Sequence, residues 1–213
     1  FAGSDDHILV GPANEVIPAS NFTLTTWVKF SYGNLGTIFK APRFGNTAYA
    51  LALYINRNSL NQTEAGKICI QFLNESFDSE EVASVSTDFN DDKWHFIAVA
   101  MGENGVKLYV DGELEGESPY RLNTTGFGSD DAYIGMYNPN YWEYRGEMDE
   151  FRIWKKELDI FQLDQLAYRT IDEDYVNDSI SGVEWDDLMV YYRFDQGTAS
   201  GTNTTEDVLF DYS

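Results

Sequence analysis

Hydrophobic and polar residues alternate along most of this chain, and this period of two most constrains the fold. In the segment 22–30, every second residue from Phe22 to Phe30 lies on one face of an extended strand, and Trp27 and Lys29 lie on the other. Such alternation predicts half-buried β-strands. Further strand-like runs occupy residues 49–55, 67–73, 93–101, 106–110, 132–136, 150–154 and 189–194.

Turn signals separate these runs, and only one segment has helical spacing. Asn104-Gly105 lies between two strand-like runs and predicts a hairpin, because both residues tolerate positive φ. Apolar residues recur at helical spacing only within 158–169. We therefore predict an all-β fold, an antiparallel two-sheet jelly-roll sandwich with one short helix near 158–169.

Charge excludes some classes of partner. Among the 213 residues, 14 Lys and Arg stand against 36 Asp and Glu, so the net charge is −22. A charge this negative repels nucleic acid and anionic membranes, and no apolar run reaches the ~18 residues of a membrane span. We expect no nucleic-acid partner and no membrane insertion.

Cysteine and asparagine patterns bear on the compartment. Cys69 is the single cysteine, so no internal disulfide can form. Six Asn-X-Ser/Thr sequons favour a secreted or cell-surface glycoprotein. The predicted glycosylation sites are Asn21, Asn61, Asn74, Asn123, Asn177 and Asn203.

Several segments resemble one family in the family's own order. Trp94-His95 followed by Leu108-Tyr109-Val110-Asp111-Gly112 resembles the "W-H-x-h-A-h … h-x-L-Y-V-D-G" core of laminin-G-like, concanavalin A-like jelly-roll modules. The segment 146–154 resembles that family's "G-x-I-D-E-h-R-I-W", and 1–8 resembles its opening "F-D-G-S-D-D-Y-h". The resemblance covers about 1–170 and implies the jelly-roll fold, with this chain as one unit of a larger multi-module extracellular protein.

The same resemblance implies a structural calcium ion. In this family the opening segment and a late strand tend to lie side by side. Carried over to this sequence, Asp6 and Asp149 are the foremost ligands, and Asp5 and the Gly3 carbonyl are lesser ones. Carboxylate and carbonyl oxygens are the ligands that Ca²⁺ takes.

The C-terminal part has a different pattern. Residues 188–197 and 210–213 resemble the segment that normally begins such a module. We divide the chain into a laminin-G-like domain (1–170), an acidic, aperiodic surface connection (171–187), and a terminal strand (188–213). That strand either completes its own module or begins the next repeat.

Catalytic residues are not evident. Glycoside hydrolases of the concanavalin A-like fold need two carboxylates that face the scissile bond. The nearest candidate, Glu147-Met148-Asp149-Glu150-Phe151, has Phe where the third acid of an E-x-D-x-E pattern belongs. We predict no enzyme. Trp27 and Trp94 are expected to fill the space between the sheets, and His95 to be a hydrogen-bonded rim residue.

An aromatic loop is the predicted ligand site. The segment 136–145 combines aromatic rings, which stack on sugars, with amide and charged groups that hydrogen-bond to hydroxyls. The predicted binding residues are Tyr137, Asn138, Asn140, Tyr141, Trp142, Tyr144 and Arg145.

Three functions remain open at this stage. The first is a non-catalytic extracellular recognition or adhesion module that binds glycan or protein through rim loops. The second is a structural repeat of a filament or glycocalyx that packs against neighbouring copies. The third, a glycoside hydrolase, is disfavoured by the incomplete acid motif.

Overall fold

The computed structural model describes residues 1, 6–31, 36–43, 49–55, 66–137, 143–196 and 209–213. Twelve strands and three helices occur in these ranges. The strands are β1 (Ile8–Pro12), β2 (Phe22–Ser31), β3 (Thr37–Pro42), β4 (Tyr49–Ile55), β5 (Ile68–Leu73), β6 (Ser79–Ala83), β7 (Asp91–Gly102), β8 (Gly105–Val110), β9 (Glu113–Ser118), β10 (Asp131–Ile134), β11 (Glu147–Trp154) and β12 (Leu188–Tyr192). The helices are α1 (Ala13–Val16), α2 (Ile160–Ala167) and α3 (Glu173–Ser179).

The strands form two six-stranded antiparallel sheets. The first sheet has the order β1-β10-β3-β4-β5-β6, and the second has the order β12-β11-β2-β7-β8-β9. The β7–β8 hairpin pairs Gly102 with Gly105 around the predicted Asn-Gly turn. This architecture confirms the predicted all-β, two-sheet sandwich of the concanavalin A-like type.

Alternating side chains of both sheets fill the space between them. Phe22, Leu24 and Val28 of β2 are buried in this main core, as the period of two predicts. Across the gap, the rings of Phe39 and Phe151 lie 5.4 Å apart between centroids. Burial of apolar area on this scale is the main favourable term in folding.

A second core lies on the outer face of the second sheet, where α2 and α3 cover it. Trp27 packs here, 5.5 Å from the Phe96 ring, and its indole N–H donates to the Ala167 carbonyl at 2.7 Å. Trp94 is 40% exposed. The prediction that both tryptophans lie between the sheets is therefore wrong, because both occupy strand positions that face outward.

The helix prediction is correct for α2 and incomplete for the rest. Asp159 and Gln162 form a capping box that starts α2 inside the predicted segment. A second helix, α3, lies within 171–187, which we predicted to be an aperiodic surface connection. Asp172 caps α3, and its Val176 is buried in the second core. Neither α3 nor the one-turn α1 was predicted.

The last strand pairs within the chain. β12 pairs antiparallel with β11 at the edge of the second sheet. On its free edge, the Tyr191 carbonyl accepts from the Tyr212 N–H at 2.9 Å, and the Tyr191 N–H donates to Asp211 at 2.8 Å. Residues near the end of the chain thus cover backbone groups that an edge strand would otherwise present to other chains.

A bulge in β11 turns charged side chains toward the second core. The register of β11 on β2 shifts between Asp149 and Arg152, and Glu150 adopts φ 52°. Arg152 is fully buried and paired with Glu150. Within the described residues, no helix is long and apolar enough to cross a membrane.

Candidate functional site

The structure describes only part of the predicted aromatic loop. Asn138, Asn140, Tyr141 and Trp142 lie outside the described residues. Tyr144 is fully buried, and its hydroxyl lies 2.8 Å from the Glu147 carbonyl oxygen. Burial raises the pKa of the Tyr144 hydroxyl. The prediction that Tyr144 contacts a ligand is wrong, because its ring belongs to the main core.

Tyr137 and Arg145, at the two ends of this loop, differ in exposure. Tyr137 is half-buried, and its carbonyl accepts a hydrogen bond from the Lys40 ammonium at 2.8 Å. The same ammonium lies 4.5 Å from the centroid of the Tyr137 ring, and burial lowers the pKa of Lys40. Arg145 is exposed. Of the predicted binding residues within the described part of the chain, Arg145 is therefore the most accessible.

A cleft of about 260 Å³ opens at one end of the sandwich, away from the predicted loop residues. Four separate segments form it: the approach to β2, the β5–β6 turn, the end of β7, and the connection from β9 to β10. The lining residues are Ala19, Ser20, Asn21, Glu75, Phe77, Met101, Gly102, Arg121, Leu122, Asn123, Thr124 and Thr125.

The β5–β6 turn forms one wall of the cleft, and Asn74 holds this turn. The Asn74 side-chain oxygen accepts from the N–H groups of Ser76 at 2.9 Å and Asp78 at 3.0 Å. Its amide nitrogen donates to Glu80 at 2.9 Å. An asparagine that caps its own turn in this way is typical of Asx geometry. The turn projects Phe77 outward, and this residue is 45% exposed.

The β9–β10 connection forms an adjoining wall. The side-chain oxygen of Asn123 accepts from the Thr125 N–H at 3.0 Å and from the Thr125 hydroxyl at 2.7 Å. Thr124 donates its hydroxyl proton to the Ala19 carbonyl at 2.8 Å. The N–H of Asn123 donates to the Leu73 carbonyl at 2.8 Å, which joins this wall to the end of β5. The cleft is therefore braced by hydrogen bonds on both sides.

Charged and aromatic groups converge at the mouth of the cleft. The Arg121 guanidinium lies 3.9 Å from the Glu75 carboxylate, and both side chains are largely exposed. The guanidinium carbon of Arg43 lies 4.8 Å from the centroid of the Phe77 ring. A partly free arginine, an aromatic face and neighbouring hydroxyl and amide groups can together recognise a polar ring.

This cleft was missed by the sequence analysis. Its lining residues come from positions 19–21, 75–77, 101–102 and 121–125, and no local motif links them. Asn21 and Asn123 were noticed only as sequon residues. A site assembled from turns at one end of a sandwich becomes visible only when the pairing of the strands is known.

The predicted calcium ligands are incompletely placed. Gly3 and Asp5 lie outside the described residues. The opening segment does run beside the approach to β11, because the N–H of Gly146 donates to the Phe1 carbonyl at 3.1 Å. Burial, followed by the charge of Glu150, raises the pKa of Asp149. Within the described ranges, no three acidic, histidine or cysteine side chains are placed to hold a metal ion.

The acids of the candidate catalytic motif have structural contacts. Glu147 is exposed and pairs with Lys29 at 2.8 Å. Asp149 accepts from the Glu150 N–H at 2.9 Å. Glu150 is buried against Arg152 and accepts the Tyr191 hydroxyl proton at 2.6 Å. These contacts give each acid a role in holding β11.

His95 is fully hydrogen-bonded, as predicted. Its Nδ1 lies 2.7 Å from Asp111 and its Nε2 lies 3.1 Å from Asp91. The hydrogen bond with Asp111 is the main reason that the pKa of His95 is raised. Asp111 also accepts from the Phe96 N–H at 2.8 Å. The hydrogen bonds of Asp111 with His95 and Phe96 therefore fix the end of the β7–β8 hairpin.

The predicted glycosylation sites differ in accessibility. Asn61 and Asn203 lie outside the described residues, and Asn177 is exposed on α3. Asn74 and Asn123 are each only 6% exposed, and their side chains hold the two walls of the cleft. The fold therefore argues against glycans on Asn74 and Asn123. Asn21 is half-buried at the cleft.

Comparisons with known proteins agree with this architecture. The family model for the concanavalin A-like lectin/glucanases superfamily, laminin G type, matches residues 2–160. No curated protein sequence matches the chain.

Solved structures share the fold at low sequence identity. A Bacteroides ovatus protein whose description suggests carbohydrate binding is 19% identical with a TM-score of 0.68, covering 98% of this chain and 54% of its own. Domains LG4-5 of the mouse laminin alpha1 chain are 16% identical with a TM-score of 0.56, covering 80% and 43%. The botulinum neurotoxin serotype D ligand binding domain, in complex with N-acetylneuraminic acid, is 21% identical with a TM-score of 0.51, covering 73% and 38%. The chain thus spans about half or less of each structure.

Proposed function

The chain belongs to the laminin G-like group of the concanavalin A-like lectin/glucanases superfamily, and from that premise we propose that it is a non-catalytic recognition module. Its ligand is a glycan, bound in the cleft that the β5–β6 turn and the β9–β10 connection help to line. The observation that carries this proposal is the convergence of Arg121, Phe77 and several hydroxyl and amide groups on one opening.

The chemistry of the cleft favours a sugar ring. Its volume of about 260 Å³ is slightly below the ~300 Å³ at which drug-sized pockets begin, so it fits one ring with the rest of the glycan outside. Phe77 offers an apolar face, and Arg121 offers donors in a fixed fork. The likeness to a Bacteroides ovatus protein assigned to carbohydrate binding, and to a neurotoxin domain in complex with N-acetylneuraminic acid, supports a glycan over a protein ligand.

We propose further that the module does not catalyse glycoside hydrolysis. Glu147 forms an ion pair with Lys29, and Glu150 forms one with Arg152. The Asp149 carboxylate accepts a hydrogen bond from the Glu150 N–H. A glycosidase needs one of its carboxylates free to donate a proton and the other free to attack or activate water. We also propose an extracellular or cell-surface location, which the sequons and the family support.

Replacing Arg121 by alanine is expected to weaken glycan binding about tenfold or more, because a hydrogen bond from a charged group contributes about 1.5–3 kcal/mol. A broad glycan array, probed with protein produced without N-linked glycans, identifies the ligand, and calorimetric titration of the same material then gives the dissociation constant of each variant. Arg145→Ala is the matched control, since it removes an exposed arginine from the aromatic loop instead.

The outcomes separate the two candidate sites. Loss of binding in Arg145→Ala with no change in Arg121→Ala would move the site to the loop 136–145. A protein that binds no glycan on the array, but that self-associates or captures a protein, would support the filament-repeat or protein-binding alternatives.

A structural calcium ion held by Asp6 and Asp149, with Asp5 and the Gly3 carbonyl, remains a separate proposal. Ca²⁺ takes six to eight oxygens, so binding would join the opening segment to β11 through several ligands. Adding EDTA is expected to lower the melting temperature, and excess Ca²⁺ is expected to restore it. Asp149→Asn should abolish this response, and an unchanged melting temperature in EDTA would exclude the site.

A further inference from the structure

We propose that Asn21 carries an N-linked glycan whose first sugar lies in the cleft and closes it to other ligands. Asn21-Phe22-Thr23 is a sequon, and Asn21 is one of the residues that line the cleft. The placement of the sugar rests on the geometry of the described residues alone. Only its effect on ligand binding rests on the function proposed above.

The side chain of Asn21 is available for modification. Asn21 is half-buried, and no hydrogen bond to its side-chain amide occurs among the described residues. The residue immediately precedes β2, whose first residues are held in the sheet by pairing with β7. A sugar attached to Asn21 therefore starts from a fixed backbone beside the cleft.

Asn74 and Asn123, the two other sequon asparagines at this end of the sandwich, are more buried than Asn21 and bound by neighbouring groups. Asn74 donates its amide nitrogen to Glu80, and its oxygen accepts from two turn N–H groups. Asn123 is just as buried, and its side-chain nitrogen lies 3.5 Å from the Glu75 carbonyl oxygen. Glycan transfer acts on the unfolded chain, and a chain modified at either position would have to accommodate a sugar at a side-chain nitrogen that the fold buries. The folded, secreted fraction should therefore lack both glycans.

The cleft suits the first sugar of such a glycan. The linkage places that ring directly beside the asparagine amide, and the lining includes the hydroxyl-bearing residues Ser20, Thr124 and Thr125. Phe77 and Met101 supply apolar surface for the ring face. The volume of about 260 Å³ leaves little space for a second ring. A module carrying this sugar is thus blocked by its own glycan, and one without it is open.

The first test is site occupancy, measured by glycopeptide mass spectrometry on protein secreted from an animal cell line. We expect glycan on Asn21 and on exposed Asn177, and none on Asn74 or Asn123. An unmodified Asn21 would overturn the proposal, and so would glycans on Asn74 and Asn123 in folded protein.

The second test asks where the sugar lies, and it needs no knowledge of the ligand. Hydrogen exchange of the 121–125 amides is compared among the intact glycoprotein, the glycoprotein trimmed by an endoglycosidase to one N-acetylglucosamine, and Asn21→Gln. We expect the first two to be equally protected and Asn21→Gln to exchange several-fold faster. Asn177→Gln, the control, should behave as the intact glycoprotein. Equal exchange in all forms would overturn the proposal.

The third test concerns closure of the cleft. If the array identifies a glycan ligand, Asn21→Gln should bind it at least tenfold more tightly than either the intact or the trimmed glycoprotein. Equal affinities together with a protected cleft would refute self-blocking while leaving the sugar in place. Failure to bind any glycan in Asn21→Gln would instead count against the proposed function, and the exchange result would still stand.

Discussion

Replacing Arg152 by methionine is expected to lower the free energy of unfolding by about 3–5 kcal/mol, the usual cost of breaking a buried ion pair from one side. Methionine retains most of the apolar stem, so the loss reflects charge and hydrogen bonding more than packing. The guanidinium is fully buried and pairs with Glu150, which is itself 8% exposed. Without Arg152, the Glu150 carboxylate would remain buried without a counter-charge.

Arg152 also joins the second sheet to the helical layer. It donates to the carbonyls of Leu166 at 2.8 Å and Arg169 at 2.8 Å, at the end of α2 and just beyond it. Its guanidinium carbon lies 4.9 Å from the centroid of the Tyr191 ring on β12. The substitution therefore leaves two carbonyl groups without their donor as well as one carboxylate without its counter-charge.

Lys29→Met provides the matched control on the neighbouring strand. Lys29 pairs with Glu147 across β2 and β11, but the Glu147 side chain is 62% exposed. Exposed pairs of this kind contribute about 0–1 kcal/mol. Urea titrations followed by circular dichroism give both values. The double variant Glu150→Gln/Arg152→Met should lose less stability than Arg152→Met alone, and a Lys29→Met loss as large as that of Arg152→Met would contradict this account.

Local patterns predicted most of the strands, because alternation and turn chemistry are properties of short segments. The strands β1, β3 and β6 were not predicted. The β7–β8 hairpin follows from Asn104-Gly105 and the apolar runs on either side. Alternation also predicted which face of β2 carries Phe22 and Leu24 into the main core. It could not predict what covers the opposite face, so Trp27 was assigned to the wrong core.

Features assembled from distant segments could not be predicted. The cleft needs Arg121 beside Glu75, and only the pairing of β5 with its neighbours brings these positions together. The helix α3 was not predicted for a different reason. Its first turn is acidic, with Glu173 and Asp174, which favours a helix start through the macrodipole but also resembles a solvated loop.

Replacing Val176 by aspartate tests whether 171–187 is part of the folded unit, and we expect a loss of about 3 kcal/mol or more. Val176 is fully buried in the second core, where an unpaired carboxylate would have no counter-charge. Neighbouring contacts hold α3 in place, including the Tyr175 hydroxyl, which donates to the Gln165 carbonyl at 3.2 Å. Detachment of α3 would limit the cost, because the helix can leave while the sandwich persists.

Asp178→Ala is the matched control for this substitution, because Asp178 is exposed on the same helix and should change stability by less than about 0.5 kcal/mol. Urea unfolding gives the global loss, and hydrogen exchange of α2 and α3 amides shows whether the helical layer detaches first. If Val176→Asp unfolds at the same urea concentration as the parent, and its α3 amides exchange at the same rate, the second core does not contribute to stability. If only the helices lose protection, the second core is a separate cooperative layer on a self-sufficient sandwich.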